Sequence, residues 1–173
     1  MNNPVLSAIS NRRSIRKYKP QQISEEALQT LLKAAVEAPS ANNAQPWHFT
    51  VVQDAAVIKA VNEEIKSIFG REDDIFYAAP TVIFLSADKK NKWGKLDSGI
   101  AVQTIALAAH SVGLGTVILG FPSAAFTGAH AEHFHRLLKF PETHEFAIAI
   151  AIGIPDETKE AHPVKKGHID YIR

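Results

Sequence analysis

The chain has 173 residues, 46% of them hydrophobic and 21% charged, with a formal net charge of +1. That length suits one domain with its own core, and that balance lies far from disorder; so small a charge offers no field to gather nucleic acid or an anionic membrane. No cysteine is present, which excludes disulfides, thiolate metal centres and a cysteine nucleophile together and fits a reducing cytoplasm.

Met1 to Ser10 has neither the basic start nor the apolar run of a signal peptide. No stretch nears the roughly 18 apolar residues of a membrane span, so a soluble cytoplasmic protein is expected. Pro4 to Asn11 predicts a short helix with Val5, Leu6 and Ile9 on one side, followed by the basic cluster Arg12, Arg13, Arg16, Lys17 and Lys19. Ser24 reads as an N-cap, and Glu25 and Glu26 suit the positive end of a helix dipole. Leu28, Leu31, Leu32 and Ala35 then recur at the spacing of one buried helical face, which Pro39 ends. Trp47 to Gln53 is aromatic and β-branched, the composition of a strand. A helix is expected over 55–69 with Val57, Ile58, Val61, Ile65 and Ile68 inward, then a polar break from Gly70 to Asp74. Pro80 opens the short apolar run Thr81 to Leu85, a buried strand.

Asp97 to Val112 is apolar nearly all round, the mark of a helix buried in a core or an interface. Gly113 and Gly115 end it, Thr116 to Leu119 predicts a strand, and Ser123 to Lys139 predicts a helix. Between Phe146 and Ile154, isoleucines at 148, 150, 152 and 154 alternate with Ala147, Ala149, Ala151 and Gly153. Large and small apolar faces together place this strand at the centre of a sheet covered on both sides. From Pro155 the tail is polar until Ile169, Tyr171 and Ile172, which suits either an arm over a partner subunit or a frayed end. The pattern predicts an α+β or three-layer sandwich of about four or five strands with helices on both faces.

Two segments carry candidate chemistry. Arg12-Arg13-Ser14-Ile15-Arg16 sets three guanidiniums and a hydroxyl at a helix end, donors suited to a phosphate; taken alone, a solvated basic patch explains such a run as well. Ala38-Pro39-Ser40-Ala41-Asn42-Asn43-Ala44-Gln45-Pro46-Trp47 sets amides between two prolines. Amides donate and accept at once, as a heterocycle edge requires, yet Ser, Asn and Pro are also ordinary turn formers. His130, His133 and His135 suggest a metal only superficially, since one pair alone is spaced to share a helix face. No nucleophilic triad, metal-ligand set or G-x-G-x-x-G is found, so no catalytic side chain and no metal ligand is assigned.

In order and separation, these two segments resemble the nitroreductase family of flavoproteins: R-R-S-x-R at Arg12, Arg13, Ser14 and Arg16, then P-S-x-x-N-x-Q-P-W at Pro39, Ser40, Asn43, Gln45, Pro46 and Trp47. Asp97-Ser98-Gly99, Gln103, Gly113-Leu114-Gly115-Thr116 and Leu119-Gly120-Phe121-Pro122 are similar to the family as well. The resemblance implies an α/β/α sandwich over 1–154 around a mostly antiparallel sheet. It implies a homodimer with an FMN site at each side of the subunit interface, and a C-terminal arm over 155–173 packed on the partner. By the same resemblance, Arg12, Arg13, Ser14 and Arg16 would hold the FMN phosphate and ribityl chain. Pro39, Ser40, Ala41 and Asn43 would reach the flavin from the other subunit, supported by Gln45. Gly120 and Leu119 would offer backbone N–H groups to flavin N5, and Lys165 or Lys166 would meet the phosphate. NADH or NADPH would reduce the flavin and a small-molecule acceptor, such as a nitroaromatic or quinone, would reoxidise it in a ping-pong cycle, with no nucleic acid and no membrane involved. Reductive dehalogenation, oxidative ring cleavage and a non-catalytic flavin-binding role remain open beside it. The stretch between Gly120 and Phe146 leaves little cover for a substrate pocket, and Ala41 stands where a hydroxyl is common.

Overall fold

The computed structural model describes residues 3–161, 163–164 and 166–173. Four strands form one antiparallel sheet in the order β1-β2-β4-β3, with β1 at Trp47–Val52, β2 at Thr81–Asp88, β3 at Gly115–Leu119 and β4 at His144–Gly153. The alternating strand is central, as its two apolar faces require. Its isoleucines at 150 and 152 pack under α2 (Glu25–Val36) and α4 (Gly94–Ser111), among Leu28, Leu31, Ala101 and Ile105. Ala149 and Ala151 face the other layer, formed by α3 (Ala55–Phe69), a 3₁₀ turn at Phe121–Phe126 and α5 (Ala131–Leu137). The short α1 (Pro4–Asn11) contacts α4 and buries none of its residues.

Local chemistry sets these boundaries. The Ser24 hydroxyl accepts from Ala27 N–H at 3.2 Å, and the Asp54 carboxylate from Ala56 N–H at 2.8 Å, each satisfying an orphan donor of a first helical turn. At the end of α4, Gly113 N–H donates to His110 O and Leu114 N–H to Ala109 O, a Schellman pair around a left-handed Gly113 (φ 80°). β2 runs past Leu85 to Asp88 through an irregularity between Leu85 and Ser86, where β4 carries one extra residue.

Two expectations are corrected. The helix read over 123–139 is two pieces. The Thr127 hydroxyl bonds back to Ser123 and Ala124 carbonyls, Gly128 follows, and only Ala131–Leu137 is α-helical. Ile68 is also not inward: it is 43% exposed, while Ile58, Val61 and Ile65 are buried. Asn62 takes the fourth inward place, accepting from Ile75 N–H to fix the turn before β2.

The basic segment crosses one end of the sheet. Ile15 N–H donates to Thr116 O, Lys19 N–H to Ile154 O, and Asp156 N–H to Lys17 O, each at 2.9 Å. Gly115 and Gly153 are direct partners across β3 and β4. A Cβ on Gly115 would lie 3.0 Å from Ile15 Cβ, and one on Gly153 would lie 2.8 Å from the Tyr18 ring. The two glycines let the segment lie flat on the sheet, so Gly115 serves close approach and only Gly113 caps the helix.

Candidate functional site

Along the crossing segment, side chains alternate between two sides. Ile15 is buried, and with Arg13 it lines a cavity of about 300 Å³ shared with Arg12, His110, Thr116 and Lys159. Ser14 and Arg16 do not line it; the Arg16 guanidinium lies 5.7 Å over the Tyr77 ring, toward the α3 layer. Arg13 donates from one guanidinium nitrogen to Ser10 O (2.7 Å) and Arg12 O (2.9 Å), closing the C-terminal carbonyls of α1. Its Nε is buried and has no partner among the described residues. The Arg12 and Arg16 guanidiniums and the Ser14 hydroxyl likewise make no hydrogen bond or ion pair among the described residues.

Glu157 anchors the root of the tail to this segment. Its carboxylate accepts from Arg16 N–H and pairs with Lys159 at 3.2 Å. The Arg16 N–H holds the Glu157 carboxyl below its usual range. Lys166 is exposed, and Lys165 lies outside the described residues. At the far end of β3, Leu119 is buried and Gly120 is exposed with an ordinary φ of −87°. Among the described residues, nothing beyond its two chain neighbours lies within 4 Å of the position a Gly120 Cβ would take, so the described fold does not demand glycine there.

The amide loop is built differently. Asn42, Asn43 and Gln45 all adopt left-handed backbone, with φ of 55°, 53° and 46°, a strain that non-glycine residues rarely accept. Three contacts hold it. The buried Asp97 carboxylate, at the start of α4, accepts from Ala41 N–H at 3.2 and 3.3 Å. The Ser40 hydroxyl accepts from Gln45 N–H at 3.0 Å, and the Gln45 side chain donates to the Asn43 side chain at 3.0 Å. Pro39, Asn43 and Gln45 are nonetheless exposed.

The loop enters β1, at the opposite edge of the sheet from β3, which carries the arginine segment and Gly120. Three strand spacings of about 4.8 Å put those edges ~14 Å apart. One chain therefore brings Arg12, Ser14, Arg16, Leu119 and Gly120 to one edge but not Pro39, Ser40, Ala41, Asn43 and Gln45. Sequence reasoning gave no role to Asp97, although an acid within an apolar helix was a visible signal; nothing in the sequence marked Glu157. A larger cavity, about 530 Å³ between α3 and residues 20–22, is lined by none of these residues.

Among the described residues, no group of three His, Asp or Glu side chains is gathered for a metal ion. His130 pairs with Glu64 at 3.0 Å, His133 packs edge-on against Phe134, and His135 donates to His144 O. No helix of the described residues is long and apolar enough to cross a membrane.

Fold and segments together define a protein of the nitroreductase class. The chain belongs to the Nitroreductase family, whose model matches residues 9–154. A nitroreductase with bound FMN from Desulfitobacterium hafniense has the same fold, with a TM-score of 0.91, 34% identity and full coverage of both chains. A candidate NADH dehydrogenase/NAD(P)H nitroreductase from Archaeoglobus fulgidus is 37% identical over 162 residues, covering 90% of this chain and 87% of that protein. The NAD(P)H-dependent FMN reductase of Bacillus subtilis is 27% identical over 182 residues, covering 93% and 70%.

Proposed function

We propose that this protein is an FMN-dependent NAD(P)H oxidoreductase that works as a homodimer, each site completed by the amide loop of the partner. One observation carries the reading: unpartnered phosphate-type donors stand at one sheet edge and a strained, exposed amide loop at the other. A second copy is what closes that gap. Val5, Leu6 and Ile9 of α1 are 63%, 52% and 53% exposed, and Leu96 and Ile100 of α4 are 62% and 44% exposed. An eight-residue helix with no buried residue is too short to persist on propensity alone, and such apolar faces mark an interface.

The residues fit an FMN. Arg12, Ser14 and Arg16 would hold its phosphate and ribityl chain with side-chain donors that make no hydrogen bond or ion pair among the described residues. Arg13, through the carbonyls at the end of α1, holds those donors in place and keeps its orphaned Nε near them. Gly120 has an ordinary φ and open space, so its missing Cβ serves an approach from outside the chain; its backbone N–H and that of Leu119 would be the donors offered to flavin N5. Pro39, Ser40, Ala41 and Asn43 cover the ring from the partner, with Gln45 and Asp97 fixing the loop. Lys166, or Lys165 outside the described residues, would meet the phosphate, and the tail would lie on the partner, where its exposed Ile169, Tyr171 and Ile172 would find cover. When bound, FMN supplies two-electron chemistry, taking electrons from NADH or NADPH and passing them to a nitroaromatic, quinone or similar acceptor in alternate half-reactions.

The purified protein is expected to be yellow, dimeric and bleached by NADH or NADPH under anaerobic conditions. Arg12→Ala should weaken FMN binding by about 1.5–3 kcal/mol, the range for hydrogen bonds to charged groups, as read by fluorescence titration. A colourless monomer that takes up no added FMN refutes the proposal.

A further inference from the structure

The cavity of about 530 Å³ between α3 and residues 20–22 lies away from both halves of the proposed flavin site. It sits where β1 ends and β2 begins, at the opposite edge of the sheet from β3. The amide loop enters the other end of β1, a strand length of about 20 Å away. A volume of this size falls within the range of small-molecule pockets, roughly 300–1,000 Å³. Pro20, Ile58, Ala79 and Pro80 give it apolar walls. One wall holds a rare backbone: Tyr77 and Ala78 are both left-handed, with φ of 59° and 54°. The Asp74 carboxylate fixes that turn by accepting from Phe76 N–H at 2.8 Å and Ala78 N–H at 2.7 Å.

Two amides line the same space, and obligatory donors set the way each one faces. Asn62 is only 6% exposed, and its Oδ1 accepts from Ile75 N–H at 3.0 Å. That leaves Nδ2, which has no hydrogen-bond partner among the described residues, as the unused polar atom of a side chain lining the cavity. At Gln22, Nε2 donates to Pro80 O at 2.8 Å, so Oε1 receives the Thr81 hydroxyl proton at 2.6 Å. Having given its one proton there, the buried Thr81 hydroxyl accepts from Gln53 Nε2 at 3.1 Å. Gln53 Oε1 is then the end of that amide without a partner among the described residues. The cavity therefore offers one nearly buried donor and one acceptor beside apolar walls. Its charged lining residues, Lys59 and Asp74, are opposite in sign, and both Asp74 oxygens are occupied by the turn.

We infer that this cavity is a second small-molecule site, which takes compact neutral rings bearing a lactam: a carbonyl for Asn62 Nδ2 and an N–H for Gln53 Oε1. A nearly buried donor without an acceptor is costly, and a ligand carbonyl removes that cost. The apolar walls take the rest of the ring. The same pair rejects ions. A carboxylate would satisfy Asn62 but set its charge against Gln53 Oε1 and Asp74, and an ammonium would face Asn62 Nδ2 and Lys59. None of the lining residues belongs to the flavin contacts, so occupancy of this site does not depend on the flavin reading.

The test is a ligand-observed NMR titration of the full-length protein, with FMN present, using δ-valerolactam and cyclohexanone. These saturated rings share size and carbonyl, differ by the N–H, and lack the flat face that stacks on a flavin. The wild-type protein is expected to bind the lactam about fivefold to tenfold more tightly than the ketone, the worth of one neutral hydrogen bond. Gln53→Leu should erase that ratio by weakening the lactam alone. Asn62→Asp keeps an oxygen for Ile75 N–H and withdraws the donor, so both ligands should weaken about tenfold. Ala55→Phe fills the cavity from the first turn of α3 and should abolish binding of both. Gln53 and Ala55 are exposed, so their variants fold and decide the matter even where Asn62→Asp does not. Equal binding of the two rings by the wild type, a ratio that persists in Gln53→Leu, or binding that survives Ala55→Phe overturns the inference. Absence of saturable binding overturns it too, and leaves the cavity to ordered water or to a partner's tail.

Discussion

The layer of α3, the 3₁₀ turn and α5 closes on itself with rings. Phe126 stacks on Phe146 at 4.8 Å and on Phe140 at 5.2 Å, and Phe84 meets Phe76 edge-on at 5.7 Å beneath them. The layer of α2 and α4 buries the same sheet with aliphatic side chains but leaves Leu96 and Ile100 of α4, and the whole apolar side of α1, in the open. The first layer is closed over the sheet, with only the outer end of α3 and its neighbour in the turn, Ile68, Phe69 and Phe121, left exposed. The second is half-finished, because a helix apolar nearly all round needs cover on its far side as well. In the proposed dimer that cover is a second α4, and the site inherits the same division: one edge complete within the chain, the other waiting for its partner.

The sharpest way to break this comparison is to charge the open layer. Leu96→Asp with Ile100→Asp puts unpaired carboxylates into the proposed interface. The double variant should sediment as a folded monomer and bind FMN at least about a hundredfold more weakly, roughly 2.7 kcal/mol, the scale of one or two lost charged hydrogen bonds. An intact yellow dimer would mean that the exposed face of α4 is not the interface. The closed layer answers in the opposite way. Phe126→Ala removes the ring that bridges Phe140 and Phe146 and should cost about 3 kcal/mol in denaturant unfolding, with the dimer unaffected at low denaturant.

What the sequence disclosed follows the same line. Helices α1, α2 and α3 and all four strands were legible, because periodicity and capping residues such as Ser24 act locally. The central place of β4 was legible from its alternating isoleucines and alanines. The break at Thr127 was not, because its cause is a hydroxyl turning back on its own carbonyls and an aromatic stack assembled from distant Phe140 and Phe146. At the candidate site, the arginine and amide segments could be picked out by residue type. The engagement of Arg13 with α1 carbonyls, the bond from Arg16 to Glu157 and the support of Ala41 by Asp97 all depend on contacts that spacing does not encode. Gly115 shows the limit well: a glycine beside a helix end reads as a cap, while its reason is Ile15, a hundred positions away in the chain.

That glycine offers a smaller, more local test. Gly115→Ala places a Cβ 3.0 Å from Ile15 Cβ and Cγ2, a contact the β-branched side chain cannot relieve by turning a flexible end. Overpacking of this kind costs about 1–3 kcal/mol. Because the displaced element carries Ser14 and Arg16, FMN affinity should fall together with thermal stability. A stability loss with unchanged FMN affinity would show that the segment's seat on β3 does not set its grip on the phosphate.

The smallest expected effect lies at the rim of the closed layer, where His144 starts β4. The fully buried Ser86 hydroxyl bonds its Nδ1 at 3.2 Å, and the ring faces His48 edge-on at 6.3 Å. Burial lowers the His144 pKa, with the Asp88 carboxylate opposing and His48 and His135 adding to the shift. A folded pKa below the ordinary 6.5 means that the unfolded chain binds the proton more readily. The neutral ring's contribution is therefore whole above that value and is lost as pH falls through the folded pKa. His144→Gln should be less stable than wild type by about 1 kcal/mol at pH 8, the worth of one hydrogen bond. The gap should narrow on titration toward acid, because only the wild type loses stability through this ring. Unfolding midpoints that keep a constant separation across that titration would place the pH sensitivity of the fold elsewhere, at the carboxylates, and leave Ser86 as a hydroxyl indifferent to its partner's charge.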